Sequence, residues 1–214
     1  MAEKIIILSE FEDNIDFYYE WILLENLSLK VLILVSVLAN NNLIYKGSLS
    51  EMCLWLGMKS NGTNNDKIKK ALNILQNKKH INYYRNGRTY TIEIINAEIE
   101  NKKILRIRKS WLNVLKSYKG DVSISWIQLV KVFIYICSKS VTLSGSLIVT
   151  RKEIANYLNI SATTVGNALK CIAKCNFDGL LVEKQIEKEY IKNGRGQVLY
   201  ALNIGINVTL YYKW

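Results

Sequence analysis

The chain has 214 residues and a mass of 24.7 kDa, half of them apolar and 22% charged, a balance that excludes an intrinsically disordered protein and leaves room for one large domain or two of roughly 100 residues each. Its 29 lysines and arginines against 18 acids leave a net charge of +11, which favours anionic partners such as nucleic acid or an acidic membrane surface. The charge is uneven, because residues 1–27 hold seven acids and one lysine, whereas residues 28–96 carry +7 and residues 97–214 carry +10.

A short β-prone run at residues 5–8 stops at Ser9 and gives way to acids. It has no basic start, apolar middle and small-residue cleavage site, so a secretory signal is not expected and the expected compartment is the cytoplasm. Glu10, Glu12, Asp13, Asp16 and Glu20 then interleave with Phe11, Phe17, Tyr18 and Trp21 in an amphipathic segment of the wrong sign for DNA. It is expected either to pack on the first domain or to serve self-association or a partner protein. An apolar helix follows over residues 29–39. Its most apolar part, residues 31–39, is nine residues long and fenced by Lys30 and Asn40, well short of the ~20 needed to span a membrane.

Beyond it the chain repeats. Ser48-Leu-Ser-Glu-Met52-Cys53-Leu-Trp-Leu56-Gly57-Met58 lies over Thr150-Arg-Lys-Glu-Ile154-Ala155-Asn-Tyr-Leu158-Asn159-Ile160, with Met52, Cys53, Leu56 and Met58 matched by Ile154, Ala155, Leu158 and Ile160 at an offset of 102. After a five-residue insertion at about residues 59–63, Ile68, Ala71, Leu72 and Leu75 fall over Val165, Ala168, Leu169 and Ile172 at an offset of 97. The spacing i, i+3, i+4, i+7 is helical in both copies. Each copy then enters a β-rich stretch broken by Asn86-Gly87-Arg88 or Asn193-Gly194-Arg195, and Asn-Gly between alternating residues signals a hairpin. Upstream of the second copy, a β-prone run at residues 104–107 and an apolar helix at residues 126–137 mirror those upstream of the first. The predicted division is 1–97 and 98–214. Thr150 with Glu153 has capping-box spacing, and Ser161 caps the next helix.

The four cysteines, Cys53, Cys137, Cys171 and Cys175, are scattered among aliphatic residues without zinc-site spacing and are expected to be core thiols. His80 is the only histidine, at the predicted end of a helix where a cation satisfies terminal carbonyls. No G-x-x-x-x-G-K, G-x-S-x-G or H-E-x-x-H motif occurs. Neither catalysis, a metal nor a cofactor is therefore expected.

The stretch Thr150-Arg-Lys-Glu-Ile-Ala-Asn-Tyr-Leu-Asn-Ile-Ser-Ala-Thr-Thr-Val-Gly-Asn-Ala-Leu-Lys-Cys-Ile resembles the helix-turn-helix of winged-helix DNA-binding proteins. Its threonine start, Ile-Ala pair, Leu-x-Ile-Ser turn and Thr-Val-x-x-Ala-Leu helix carry the likeness. The first copy departs from it, with Lys59-Ser-Asn-Gly-Thr-Asn-Asn lengthening the turn and Cys53 in place of the small alanine. The resemblance implies an α+β fold of two tandem winged-helix domains, each a helical bundle with a C-terminal β-hairpin wing. Tandem winged helices in a basic chain of this size resemble plasmid and phage replication initiators. A transcriptional regulator, a conjugative-transfer accessory factor or a protein-interaction scaffold are the alternatives.

If the second helix of each pair lies in a major groove of double-stranded DNA, the residues left after removing the core stripe face the bases and phosphates. In the second copy these are Ser161, Ala162, Thr163, Thr164, Gly166, Asn167 and Lys170, with Asn167 able to pair with adenine and Lys170 with phosphate. In the first they are Asn64, Asn65, Lys67, Lys69 and Lys70. Arg85 and Arg88, and Lys192 and Arg195, flank the wing tips, which either touch DNA or are solvated hairpins with incidental charge. Tyr83, Tyr84 and Tyr90 are expected to be sheet core, Trp111 and Trp126 packing residues, and the basic run Lys102, Lys103, Arg106, Arg108 and Lys109 a solvated face.

Overall fold

The computed structural model describes residues 4–7, 14–40, 42–95, 104–120, 124–140, 146–148, 150–175, 177, 190–192, 198–203 and 209–212. In chain order the elements are β1 (Lys4–Ile7), β2 (Asn14–Tyr18), a 3-10 helix (Tyr19–Leu23), α1 (Asn26–Leu38), β3 (Ile44–Ser48), α2 (Leu49–Trp55), α3 (Gly62–Asn77), β4 (Ile81–Asn86) and β5 (Thr89–Ile94). There follow β6 (Ile104–Arg108), α4 (Lys109–Ser117), α5 (Trp126–Ser140), β7 (Ser146–Ile148), α6 (Arg151–Leu158), α7 (Ala162–Ile172), β8 (Tyr190–Lys192), β9 (Val198–Asn203) and β10 (Thr209–Tyr212). The fold is α+β. The chain divides into two units, one of Leu24–Glu100 and one that joins Met1–Leu23 to Asn101–Trp214.

In the unit Leu24–Glu100, the antiparallel sheet runs β3-β5-β4, so the strand before the helix pair lies against the last strand of the hairpin. Tyr45 and Tyr83 both stand opposite Ile92, and alternation sends Tyr45, Tyr90, Ile92, Ile94 and Ile81 into the core. The apolar helix α1 packs on α3 and on the sheet, with Leu29, Val31, Leu32, Ile33, Leu34 and Val35 all buried. Ser48 and Glu51 form a reciprocal capping box at the start of α2: Glu51 N donates to Ser48 Oγ at 3.2 Å and Ser48 N to Glu51 Oε2 at 2.5 Å. The helix ends at a left-handed Gly57 (φ +71°), after which Met58 N donates back to Cys53 O at 2.8 Å.

The same order recurs in the other unit as α5, β7, α6, α7, β8 and β9, with the sheet again ordered so that the third strand separates the first from the second, β7-β9-β8. Thr150 and Glu153 repeat the capping box at 3.1 and 2.6 Å. Asn159 (φ +52°) repeats the left-handed stop, and Ile160 N donates to Ala155 O at 3.0 Å. Residues 102 apart thus play the same parts, with Gly57 and Asn159 the two residue types that best tolerate that conformation. The helices that open the two copies share a motif as well. Lys30-Val31-Leu32-Ile33-Leu34-Val35 matches Lys131-Val132-Phe133-Ile134-Tyr135-Ile136 at an offset of 101, and burial lowers the pKa of both lysines. Trp111 of α4 meets Phe133 and Phe177 edge-on, while those two rings stack at 4.8 Å.

The five-residue insertion is divided between turn and helix. α3 has 16 residues and α7 has 11, and with the core stripes superposed Gly62, Thr63 and Asn64 form an extra start to α3. At its far end Lys79 adopts φ +57°, and the backbone of His80 answers a terminal carbonyl, donating to Leu75 O at 3.0 Å.

Residues 1–23 differ from the predicted division of 1–97 and 98–214, in which they belong to the first domain. β1 pairs in parallel with β6, its own counterpart in the repeat, from Ile5 opposite Ile104 to Ile7 opposite Arg106. β2 pairs with the other edge of β6, and β10 with β1, giving a sheet ordered β10-β1-β6-β2. Phe17, Tyr18 and Trp21 are consequently buried in the unit built by residues 101–214, where the 3-10 helix packs on α5 and Tyr19 stacks on Tyr157 of α6 at 5.6 Å. Glu10, Phe11, Glu12 and Asp13 lie outside the described residues.

Two substitutions check this account by chemical denaturation. Lys79→Gly relieves a left-handed lysine and raises stability by about 1 kcal/mol. Leu169→Ala, at a buried position of α7, lowers it by ~2–5 kcal/mol.

Candidate functional site

The second helix of each pair has one face sealed by the core and one left to solvent. On α3 the sealed stripe is Ile68, Ala71, Leu72 and Leu75, and the exposed residues are Thr63, Asp66, Lys67, Lys70, Asn73, Gln76 and Asn77. On α7 the stripe is Val165, Ala168, Leu169 and Ile172 with Gly166 and Cys171, and Ala162, Thr163 and Lys170 are exposed. The core residues chosen from periodicity are all buried.

Several of the expected contact residues are otherwise engaged. Asn64 and Asn65 do not face outward: at 100° per residue they stand four and three positions before Ile68, beside the sealed stripe, and both are half-buried. Asn64 stitches the turn, its backbone N donating to Asn61 Oδ1 and its Nδ2 to Lys59 O, each at 2.9 Å. Asn65 Oδ1 accepts from Cys53 Sγ of α2 at 3.4 Å. That contact is where the larger Cys53 finds a partner that the alanine of the second copy does not need. Lys67 is exposed, with Nζ 3.5 Å from Asn64 Oδ1. Lys69 forms an ion pair with Asp66 at 3.0 Å, an exposed pair of small energetic consequence, and Lys70 is exposed.

In the second copy, Ser161 caps α7 by accepting from Thr164 N at 3.0 Å, and its hydroxyl also lies 2.8 Å from that of Thr164. These two residues define where the helix starts; Ser161 is exposed and Thr164 half-buried. Thr163 and Lys170 are exposed and Asn167 is half-buried between them. Gly166, expected outward, is buried beneath the guanidinium of Arg151.

The first hairpin is shifted by one residue from its expected turn. Asn86 pairs with Thr89, so the two loop residues are Gly87 and Arg88, and Gly87 alone among them has positive φ (+60°), as a type II′ turn requires. Arg88 therefore sits in the tip, while Arg85 reaches back, its Nε donating to Gly87 O at 2.6 Å with its guanidinium 6.0 Å from the Tyr90 ring. Both arginines are exposed. The three tyrosines part company: Tyr90 is buried, Tyr83 donates its hydroxyl to Asn73 and so ties the hairpin to α3, and Tyr84 stands 64% exposed on the opposite face. Lys192 lies in β8 with no side chain described, and Arg195 falls outside the described residues, as do Asn193 and Gly194.

Of the other basic run, Lys102 and Lys103 lie outside the described residues, while Arg108 stands just before α4 with no side-chain capping bond, its guanidinium 6.0 Å from the Trp111 ring. Trp111 is fully buried and Trp126 half-buried. Exposed residues on or beside the helix pairs that escape the periodicity argument include Asn73, Lys174 and Arg151. A second turn of rotation beyond Lys70 reaches Asn73, and one beyond Lys170 reaches Lys174. No sequence rule places Arg151, because its position depends on how two helices cross.

Among the described residues, no group of three or more histidines, cysteines or acids is gathered as a metal site, and no helix is long and apolar enough to cross a membrane. The chain matches no family model, and neither a curated protein nor a solved structure matches it significantly.

The cysteines are free thiols. Burial raises the pKa of Cys53 and Cys137, and burial together with Cys171 pushes Cys175 up to about 11. Since the thiolate is the reactive form, these three react slowly with a disulfide reagent at pH 8 in the native protein, and Cys171 does so because it is buried. Cys175, half-exposed where the others are buried, is labelled first. Peptide mapping after timed labelling reads that order.

Proposed function

We propose that the chain binds double-stranded DNA through two tandem winged helices and acts in replication initiation on a plasmid or phage. The observation that carries the DNA-binding reading is the double recurrence of helix, strand, helix, helix and hairpin with one strand order, β3-β5-β4 and β7-β9-β8. Each recurrence leaves the second helix of its pair with an exposed polar and basic face. The assignment to initiation rests on the resemblance of a basic chain with tandem winged helices to plasmid and phage initiators.

In this reading α3 and α7 enter the major groove. Lys67, Lys70 and, by exchanging Asp66 for a phosphate, Lys69 supply sequence-independent attraction from α3. Asn167 and Thr163 read base edges from α7, and Lys170 meets the backbone. Arg88, at the tip of the first wing, is the residue best placed for phosphate or the minor groove. Asn64, Asn65, Ser161 and Thr164 shape the two turns and contribute indirectly.

Selection of bound duplexes from a random pool at two salt concentrations tests the reading. Tandem direct repeats are the outcome expected of an initiator, whereas a single palindrome identifies a dimeric regulator, and no enrichment at either salt refutes DNA binding. With six to ten phosphate contacts, affinity falls by about 10³–10⁵ between 50 and 200 mM salt. On the selected site, Asn167→Ala relaxes discrimination at one base pair by ~1–3 kcal/mol, while Lys69→Ala with Lys70→Ala weakens all sequences alike.

A further inference from the structure

Gly166 occupies the middle of α7, between Val165 and Asn167, where glycine is a poor helix former and alanine would serve better. It is not there for a turn, since its backbone is helical. A Cβ built on Gly166 would lie 3.2 Å from Arg151 Nη1, 3.4 Å from Cζ and 3.5 Å from Nε. Three guanidinium atoms at nearly equal distance mean that the plane of the group lies across the glycine. Arg151 is the first residue of α6 and is exposed, whereas Gly166 is buried under it.

The consequence appears along the helix. Thr163 and Lys170 stand three residues before and four after Gly166, on the same strip of α7, and both are exposed. At the position between them α7 has no side chain, and the guanidinium of α6 fills the gap. We infer that Arg151 completes the outward row of α7 as a phosphate-binding group, held flat by Gly166, so that the contacting surface runs Thr163, Arg151, Lys170. The inference rests on the DNA-binding reading above and assigns a contact that the helix's own sequence does not contain. A guanidinium lying on a surface carries its N–H donors in its plane, along that surface, and its fork matches two oxygens of one phosphate. Glycine is the residue that allows this, because any Cβ lifts the group by a few tenths of an ångström.

The test uses the full chain and a duplex bearing the selected site, with affinity measured by fluorescence anisotropy across a salt series. Arg151→Ala and Gly166→Ala each weaken binding roughly tenfold and flatten the salt slope by about one unit. The double variant binds no worse than Arg151→Ala alone, since both changes remove the same contact. The melting temperature of Gly166→Ala is no lower than that of the parent, which separates lost contact from lost fold; if it is lower, Arg151→Ala, altered at an exposed position, decides. An Arg151→Ala protein with unchanged affinity and salt slope overturns the inference. Should Lys170→Ala weaken binding in that same series, the DNA-binding reading survives without it. A parent protein that binds no duplex at any salt overturns both.

Discussion

Everything offered by α3 and α7 depends on where α2 and α6 are made to stop. Each of those helices is fixed at its start by a hydroxyl and a glutamate three residues on, and at its end by one left-handed residue whose successor donates back to the fifth residue before it. Between these limits there is room for only seven or eight helical residues. The chain must then turn sharply, and the next helix is laid across the first with its apolar stripe against α1 or α5. Had either stop been one residue later, the following stripe would rotate by about 100° and the polar face would enter the core.

Much of this is legible in the sequence because it is local. Capping boxes depend on residues three apart, left-handed stops favour glycine and asparagine, and the stripes Ile68, Ala71, Leu72, Leu75 and Val165, Ala168, Leu169, Ile172 follow from helical rotation alone. Their recurrence at offsets of 102 and 97 adds what one copy could not supply: the weaker first pair is read through the clearer second one. The turn of the first hairpin lies at the edge of such reasoning. Asn-Gly and Gly-Arg are both workable two-residue loops, and the pairing of Asn86 with Thr89 selects the second.

What was not legible depends on contacts between elements. Asn64 and Asn65 look like surface polar residues until the turn and Cys53 are seen to use them. Gly166 looks outward by rotation, yet a side chain from another helix covers it. Asp16 and Glu20 give the first segment an acidic character that separates it from the basic remainder, but Phe17 and Trp21 decide its place, and no local pattern names β6 as the partner of β1. A pairing across about 100 residues has no short-range signature.

That pairing makes the unit Leu24–Glu100 an insertion within the other one. During synthesis β1 emerges long before β6 exists, so its edge stays unpaired while the inserted unit, whose elements are neighbours in sequence, is already complete enough to fold. Closing the β1–β6 ladder then spans a segment of the chain shortened by that earlier folding, which lowers the loop-closure entropy that an unfolded stretch of the same length would impose. The order of assembly is thereby set by connectivity: the inner unit first, and the sheet that joins the two ends of the outer unit last.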